Sequence, residues 1–311
     1  MNNIKISVIL PIYNSSKYLQ QSLESVCNQS LKDIEILCID DGSSDNSIDI
    51  LNNFIKIDKR IQLIKNFHEN AGAARNTGLH LAKGKYLSFL DADDYFEPSM
   101  LENAYTYANK NAADIVIFKY HITDENLTII KSNHGLNIKI KDKQTNLACY
   151  TLLDTSPNAF NKLFRTDFIR KHGLQFQNLT TCNDIFFTRA AVAIAEKIFF
   201  LDENLLYYRT NINSISSKRY LDAENIFLAA DAIRIFFDKN KISYSKKDFY
   251  KSILKNVAYE YSNFPLGIST KQFCKKAQEF FPYEYHCKMK IIFFAKKLHF
   301  YIKKLKHCFS V

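Results

Sequence analysis

The sequence predicts an α/β protein built on a parallel sheet, and three observations carry this prediction. Short apolar runs recur along the N-terminal third of the chain, and segments with apolar residues at helical spacing lie between them. The runs are almost wholly apolar rather than alternating, as in strands that are buried on both faces. The connections are short, which favours right-handed crossovers between parallel strands.

The predicted elements alternate in order. Five strands are expected, at Ile4–Leu10, Ile34–Ile39, Ile61–Ile64, Tyr86–Leu90 and Ile115–Lys119. Helices are expected between them, with Ser15 or Ser16 capping the first, residues 71–82 forming the third and Pro98 opening the fourth. Residues 121–141 predict a strand pair or an irregular insert, and residues 142–154 predict a helix. A helix capped by Asn183 or Asp184 then precedes two short strands at 197–201 and 205–208, and everything from Leu221 onwards is expected to be helical.

The net charge of +10 is concentrated in the C-terminal part of the 311-residue chain. Residues 1–245 hold 28 Lys and Arg against 28 Asp and Glu, whereas residues 246–311 hold 14 against 4. A basic tail on a neutral body predicts contact with an anionic surface, either lipid head groups or nucleic acid.

The end of this tail, residues 288–309, predicts a basic amphipathic helix. From Ile291 to Phe309 apolar residues recur at steps of three and four, and Lys296, Lys297, Lys303 and Lys304 repeat at seven on the other side. Such a helix is typical of a membrane interface, and a terminal helix packed on the domain is the alternative. Nucleic acid is not expected, because the chain has no RNA-binding motif and no zinc-finger spacing.

Cysteine usage and hydropathy predict the compartment. The seven cysteines are scattered without CxxC spacing, which predicts free thiols in a reducing compartment, and the eight scattered histidines do not predict a zinc site. The sequence shows neither a signal-peptide pattern nor an apolar run long enough to span a bilayer. We therefore expect a cytoplasmic protein that associates with the membrane, if at all, peripherally.

Three carboxylates follow the fourth strand, in Asp91-Ala92-Asp93-Asp94. On an extended backbone Asp91 and Asp93 would point to one side, into the crevice at the carboxyl ends of the strands. Like charges that close favour a hard cation, Mg²⁺ or Mn²⁺, whose other positions are taken by water and substrate phosphates. Taken alone, the same residues fit a solvated acidic turn equally well.

The first two strands also end in candidate binding residues. Pro11-Ile12-Tyr13-Asn14 follows the first, and Asp40-Asp41-Gly42 follows the second. An aromatic ring and a carboxylate at neighbouring strand ends suit a nucleobase, through stacking and acceptance of an imide proton, although ordinary turns explain either motif alone. Neither a dinucleotide-binding fingerprint nor a P-loop is present.

Taken together, these segments resemble the inverting nucleotide-sugar glycosyltransferases of family 2, which have the GT-A fold. The matching segments, in the family's order, are Val8–Asn14, Ile39–Ser43, Asn70–Gly78, Gly84–Asp94, Asn161–Phe164 and Asn183–Asp184. The resemblance implies a GT-A domain over residues 1–215, with a nucleotide-sugar-binding half at 1–119 and an acceptor-side half at 120–215. Residues 216–311 would form a C-terminal helical extension.

The resemblance also implies roles for individual residues. The nucleotide-sugar-binding set is Pro11, Tyr13, Asn14, Asp41, Arg75, Asp91 and Ala92. Asp93 is implied as the direct ligand of Mn²⁺ or Mg²⁺, with Asp91 nearer the ribose and the metal waters, and Asp184 as the general base. Most members have Glu-Asp where this chain has Asn183-Asp184, so the base is kept and a neighbouring charge is lost.

The expected function is metal-dependent, inverting transfer of a single sugar from a nucleoside diphosphate sugar. A UDP-sugar is the first choice of donor. The acceptor would be a hydroxyl of a glycan or glycolipid, as in surface polysaccharide or lipopolysaccharide biosynthesis. The chain has no Trp and hence no QxxRW motif, which favours single additions over processive synthesis. Two alternatives stay open: an inactive nucleotide- or glycan-binding protein of the same fold, and a nucleotidyltransferase, for which a Gly-rich phosphate loop is missing.

Overall fold

The computed structural model describes residues 4–135, 156–211, 222–247, 249, 250, 253, 254, 257 and 271–285. The chain divides into two compact units, Met1–Asn211 and Ile212–Val311. The predicted α/β class is confirmed in the first unit, where helices flank a central sheet. The helices predicted at 142–154 and 288–309 lie outside the described residues.

The first unit contains the strands. They are β1 (Ile6–Ile12), β2 (Ile34–Asp40), β3 (Ile61–Lys65), β4 (Tyr86–Phe89), β5 (Tyr95–Phe96), β6 (Ile115–Thr123), β7 (Ile129–His134), β8 (Lys162–Arg165) and β9 (Ile198–Arg209). Within the described residues they form one nine-stranded sheet in the order β3-β2-β1-β4-β8-β6-β9-β5, and β7 pairs with β6.

Helices connect the strands and make up most of the described second unit. They are α1 (Ser16–Cys27), α2 (Ser47–Ile57), α3 (Ala71–Leu81), α4 (Met100–Asn111), α5 (Thr166–Lys171), α6 (Asn183–Ile194), α7 (Asn225–Lys239) and α8 (Lys271–Phe280). In the second unit the Phe227 ring of α7 lies 5.5 Å from that of Phe273 and 5.4 Å from that of Phe280, both on α8. Among the helices that the structure describes, none has both the length and the apolar composition to cross a membrane.

The parallel half of the sheet is confirmed. β1 pairs in parallel with β2 and β4, β2 pairs in parallel with β3, and every residue of β1 and β2 is buried. Gly78 lets α3 lie directly on β1, since a Cβ at this glycine would approach the Ile9 side chain to 2.5 Å. Because α3 returns antiparallel to the strands, its N-terminal turns lie at the strands' carboxyl ends, where ligands bind in such sheets.

Beyond β4 the sheet is mixed, which the sequence did not predict. β8 lies between β4 and β6 and is antiparallel to both. Its four residues are too few to show a periodic pattern, so local sequence gives little signal for this strand. β8 leads directly into α5, which begins at Thr166 and precedes the loop before α6.

The prediction of two strands at 197–201 and 205–208 is wrong, because both belong to the single strand β9. Phe118 pairs with Leu201 and the next residue, Lys119, pairs with Asn204. The two acidic residues between Leu201 and Asn204 are therefore taken up in a β-bulge rather than in a turn.

β1 runs through Pro11 to Ile12, further than predicted. β4 pairs with β1 only as far as Phe89, opposite Ile9. Pro11 thus lies where β1 has a neighbour on one side alone, so its missing N–H is tolerated.

Candidate active site

Asp91, Ala92, Asp93 and Asp94 form a tight turn after β4. The N–H of Asp94 donates to the carbonyl of Asp91 at 3.0 Å, so the backbone is turned and not extended as the alternation argument assumed. The reason is topological, since the chain must reverse at once to enter β5, which pairs antiparallel with β9. The turn still keeps the charges of Asp91 and Asp93 close enough to interact.

Asp93 is held in an environment that disfavours its charge. Burial, followed by the charge of Asp91, raises the pKa of Asp93 to about 6. Asn211, just beyond β9, donates from Nδ2 to Asp93 Oδ2 at 3.1 Å. This hydrogen bond and the charge of Arg209 partly offset the rise.

Asp94, the last residue of the turn, is hydrogen-bonded to the main chain of Arg209. Asp94 is fully buried, and its Oδ1 accepts the main-chain N–H of Arg209 at 2.9 Å. Within the described residues no hydrogen bond reaches Asp94 Oδ2, and burial together with the charges of Asp93 and Asp91 raises the pKa of Asp94 well above its usual range. The buried Arg209 guanidinium lies 4.4 Å from the Tyr18 ring and donates to Gln21 Oε1 at 2.8 Å. Arg209 was not predicted as a site residue, although a charged residue directly after a predicted strand was a usable signal.

The donor atoms of the turn suit a divalent cation that is shared with a ligand. In the part of the chain that the structure describes, no three His, Cys, Asp or Glu side chains converge into a complete metal site. Asp91 and Asp93 instead offer carboxylate oxygens from one turn, and their crowding is the situation that a cation relieves. Mg²⁺ and Mn²⁺ are commonly held by one or two carboxylates with substrate phosphates and water, so the residues fit such an ion.

Arg75 is the centre of the site. It is 8% exposed, its Nη2 lies 2.5 Å from Asp91 Oδ1, and its Nη1 donates to Asn183 Oδ1 at 2.9 Å. The guanidinium also lies 5.5 Å from the centre of the Phe176 ring. Burial acts to lower the pKa of Arg75, but the neighbouring carboxylates, first Asp91 and then Asp184, raise it overall. A predicted nucleotide contact is thus also a bridge inside the protein.

Asp184 lies in the first turn of α6, where the helix dipole favours a carboxylate. The predicted cap at Asn183 or Asp184 is wrong, because Asn183 is already helical and Cys182 holds the cap position at φ 59°. A non-glycine residue in this left-handed region is uncommon and reverses the chain just before the helix. The charge of Asp184 acts on both Arg75 and Lys162.

Lys162 is, after Arg75, a second buried cation whose charge interacts with that of Asp184. No role was predicted for it from the sequence. It is 0% exposed, and its Nζ donates to the carbonyls of Ser156 and Asn158 at 2.7 Å each and to Asn161 Oδ1 at 2.9 Å. Three acceptors match the three protons of an ammonium group. Burial, with the charge of Arg189, lowers the pKa of Lys162, and the charge of Asp184 opposes this.

The ring pair Tyr13 and His68 and the carboxylate of Asp41 lie together where β1 and β2 end. Tyr13 is half exposed and its ring stacks on His68 at 4.3 Å between centroids. His68 Nδ1 donates to the main-chain oxygen of Asp41 at 2.9 Å. Asp41 Oδ1 accepts from the N–H of Glu69 at 3.1 Å and from Asn66 Nδ2 at 3.3 Å. His68 was not predicted, since a lone histidine in a loop gives no signal in the sequence.

Three other residues of the predicted binding set, Asn14, Pro11 and Ala92, make contacts within the protein. Asn14, at φ 46°, uses its Oδ1 to accept the N–H groups of Ser44 at 2.8 Å and Asp45 at 3.3 Å, so it holds the loop after β2. Pro11 is buried inside β1, and the Ala92 side chain belongs to the hydrophobic core. Any contact of Ala92 with a ligand would therefore involve its main chain.

The cap of α1 also comes from this loop. Ser15 holds the N-cap position, as predicted, but its side chain makes no cap bond, and Asp45 Oδ2 accepts the N–H of Ser16 at 2.9 Å instead. Hydrogen bonds from Ser47 and Ser16 outweigh burial and lower the pKa of Asp45 to about 2. The ends of β1 and β2 are thus fastened to each other by side chains.

The fold and this set of carboxylates define a glycosyltransferase of the GT-A class, and comparison with known proteins gives the family. Residues 7–173 match Glycosyl transferase family 2. An uncharacterised glycosyltransferase of Haemophilus influenzae is 30% identical over 266 residues, which cover 85% of this chain and 98% of the relative. The chain belongs to glycosyl transferase family 2, as the resemblance predicted.

Two further similarities define the extent of this relation. The putative glycosyltransferase EpsH of Bacillus subtilis is 30% identical over 220 residues, which cover 69% of this chain and 63% of EpsH. The crystal structure of Staphylococcus aureus TarS 1–349 in complex with UDP-GlcNAc superposes with a TM-score of 0.63 at 20% identity, covering 93% of this chain and 79% of the TarS chain. The predicted GT-A fold is confirmed.

Proposed function

We propose that this protein transfers a single sugar from a nucleoside diphosphate sugar, with UDP-sugars first, to a hydroxyl group of a glycan or glycolipid, with inversion at the anomeric carbon. One observation carries the proposal: Arg75 bonds both Asp91, in the carboxylate turn, and Asn183, which directly precedes Asp184. A single guanidinium thus joins a donor-binding segment to a segment that bears a base.

The donor would lie along the carboxyl ends of β1, β2 and β4. The nucleobase is assigned to Tyr13 and Asp41, whose carboxylate is held by two hydrogen bonds from the β3–α3 loop. The diphosphate is assigned to the side of Arg75 and the carboxylate turn, near the N-terminus of α3, where anions are favoured. The TarS complex with UDP-GlcNAc, a protein of the same fold, supports UDP as the first nucleotide to test.

Asp91 and Asp93 would hold Mg²⁺ or Mn²⁺. When bound, such a cation neutralises the charge that develops on the diphosphate leaving group. Asp184 accepts the proton of the acceptor hydroxyl as its oxygen forms a bond to the anomeric carbon and the bond to the diphosphate oxygen breaks. Attack opposite the leaving group in one displacement inverts the anomeric configuration.

The decisive experiment measures nucleoside diphosphate release from UDP-, GDP- and dTDP-sugars, with and without Mn²⁺ or Mg²⁺. We expect one donor to turn over, to require the cation, and to lose about 10²–10⁴-fold in rate in Asp184→Asn while UDP binding is kept. Asp167→Asn is the matched control, because Asp167 is also an acidic residue in a first helical turn and is exposed. Lack of turnover with every donor, or full activity in Asp184→Asn, would favour the inactive binding protein.

We also propose that the acceptor is membrane-associated, as in surface polysaccharide or lipopolysaccharide assembly, and that the protein binds the cytoplasmic face of the membrane through residues 288–309. The support is the lysine and apolar pattern of this segment, which lies outside the described residues. Cosedimentation with vesicles containing anionic lipid, compared with neutral vesicles and with a chain truncated at residue 287, tests the proposal. Equal binding of both chains would refute it.

A further inference from the structure

The side chain of Asn183 uses both ends of its amide. Oδ1 accepts from Arg75 Nη1 at 2.9 Å, and Nδ2 donates to the carbonyl of Leu179 at 3.1 Å. The main-chain oxygen of Asn183 accepts the N–H of Gln177 at 3.1 Å. Asn183 therefore joins α3, the loop before α6 and the first turn of α6 at one buried position.

An acid cannot replace this amide without changing the charges of the site. A carboxylate at position 183 would still accept from Arg75, but it has no proton to give to the Leu179 carbonyl. It would also compete with Asp91 for the guanidinium that now pairs with Asp91 at 2.5 Å.

Arg75 contacts one carboxylate directly, that of Asp91, because the side chain of Asn183 is a neutral amide. Four carboxyl groups, those of Asp91, Asp93, Asp94 and Asp184, already lie in this part of the protein. In this chain a further buried carboxylate at position 183 would add a negative charge beside Arg75, and charges in partly buried sites are screened less than in water.

We propose that Asn183 is a positioning residue that holds Arg75 on Asp91, and so couples the base-bearing end of α6 to the donor-binding carboxylate turn. Its influence on the reaction rests on the function proposed above. The coupling itself is a property of the folded protein and can be measured without substrate.

The first test is a double-mutant cycle on the free energy of unfolding, with Asn183→Asp, Asp91→Asn and the double variant in urea. If Arg75 connects the two positions, the double variant is more stable than the two single changes predict, by about fivefold in the unfolding equilibrium constant. The reason is that the carboxylate introduced by Asn183→Asp supplies the partner that Arg75 loses in Asp91→Asn. Additive effects would overturn the inference.

The second test measures the affinity for UDP of the same variants by calorimetry without metal. At temperatures below the unfolding transition, a loss of stability alone does not change this affinity. Asn183→Asp is expected to weaken UDP binding about tenfold. In the Asp91→Asn background the same change is expected to cost about threefold or less, because Arg75 then has one carboxylate to pair with. Equal effects in both backgrounds would overturn the inference.

Asn76 provides the matched control. It lies on α3 next to Arg75 and uses both ends of its amide on the main chain of the loop before α6, donating to the Phe176 carbonyl at 2.9 Å and accepting its N–H at 2.8 Å. Asn76→Asp therefore loses the same kind of donor, and we expect additivity with Asp91→Asn in both measurements. Non-additivity as large as that of Asn183 would overturn a specific link through Arg75.

The two proposals fail separately. A wild-type chain that binds none of UDP, GDP and dTDP, with or without Mn²⁺, refutes the nucleotide assignment of the proposed function, and the unfolding cycle then decides the role of Asn183. A chain that binds UDP and turns over a donor, but shows additive cycles, refutes only the role of Asn183.

Discussion

Replacement of Asp93 by Asn should make the protein more stable and inactive. The structure holds this carboxylate close to Asp91 in a partly buried turn, which raises its pKa from the ordinary 3.8 to about 6. Asn has nearly the same shape and keeps an oxygen that can accept from Asn211 Nδ2, as Asp93 does at 3.1 Å. The exchange therefore removes the charge and little else.

The size and sign of the effect follow from proton linkage. At low pH Asp93 is protonated in both the folded and the unfolded chain, and the charge costs nothing. Between pH 4 and 6 the unfolded chain releases the proton while the folded chain keeps it, so the free energy of unfolding falls as pH rises. Above pH 6 the full penalty is present, which at 1.36 kcal/mol per pKa unit is about 2–3 kcal/mol.

The assay is urea unfolding of wild type and Asp93→Asn from about pH 4 to pH 8, without metal or nucleotide. Their difference in unfolding free energy should grow from near zero to about 2–3 kcal/mol in favour of the variant. With Mn²⁺ and UDP present, wild type should recover stability by ligand binding and the variant should not. The exposed Asp167→Asn should differ from wild type by less than about 0.5 kcal/mol throughout.

Two outcomes would refute this reasoning. A difference that stays constant across the pH range would show that the Asp93 charge is not penalised in the folded state. A variant less stable than wild type at pH 8 would show that Asp93 holds the turn through contacts that Asn cannot replace.

Three further predictions follow from buried contacts. In urea titration, Gly84→Ala should lower the unfolding free energy by about 2–3 kcal/mol, because the added Cβ would lie 2.4 Å from a main-chain nitrogen of β1. The control Gly173→Asn should change the unfolding free energy little, because Gly173 has φ +59° and a Cβ there would meet nothing within 4 Å. Lys162→Met should cost about 3 kcal/mol, because three oxygens lose their donor, and a melting temperature equal to wild type would contradict the ammonium contacts. Arg209→Met should raise the pKa of Asp93 further, because the Arg209 charge lowers it in the wild type. In urea unfolding without metal, the fall in unfolding free energy with rising pH should therefore extend to higher pH than in wild type, and an unchanged pH dependence would exclude that interaction.

The predicted site residues differ in how far their surroundings could be read from the sequence. Asp41 and Asp91 follow apolar runs, so their place at the carboxyl ends of strands was predictable from local pattern. The turned backbone at Asp91–Asp94 was not, because it depends on β5 pairing with β9, more than a hundred residues away. Asn14 lies where it was predicted, but its contacts with the β2–α2 loop depend on the register of β1 with β2.

The sequence by itself determined the α/β class, the four parallel strands, the family and the basic character of the C-terminal segment, because apolar runs, turn residues and charge are local properties of the chain. Tertiary structure alone decided which charges meet. β8, which the sequence did not predict, fixes the chain that leads into α6, and the loop before α6 is fastened to α3 by Asn76. Arg75 thereby reaches both Asp91 and Asn183, and burial then sets the pKa of Asp93 and Asp94. Hydrogen-bond partners and desolvation arise from segments distant in sequence, so no local pattern could have specified them.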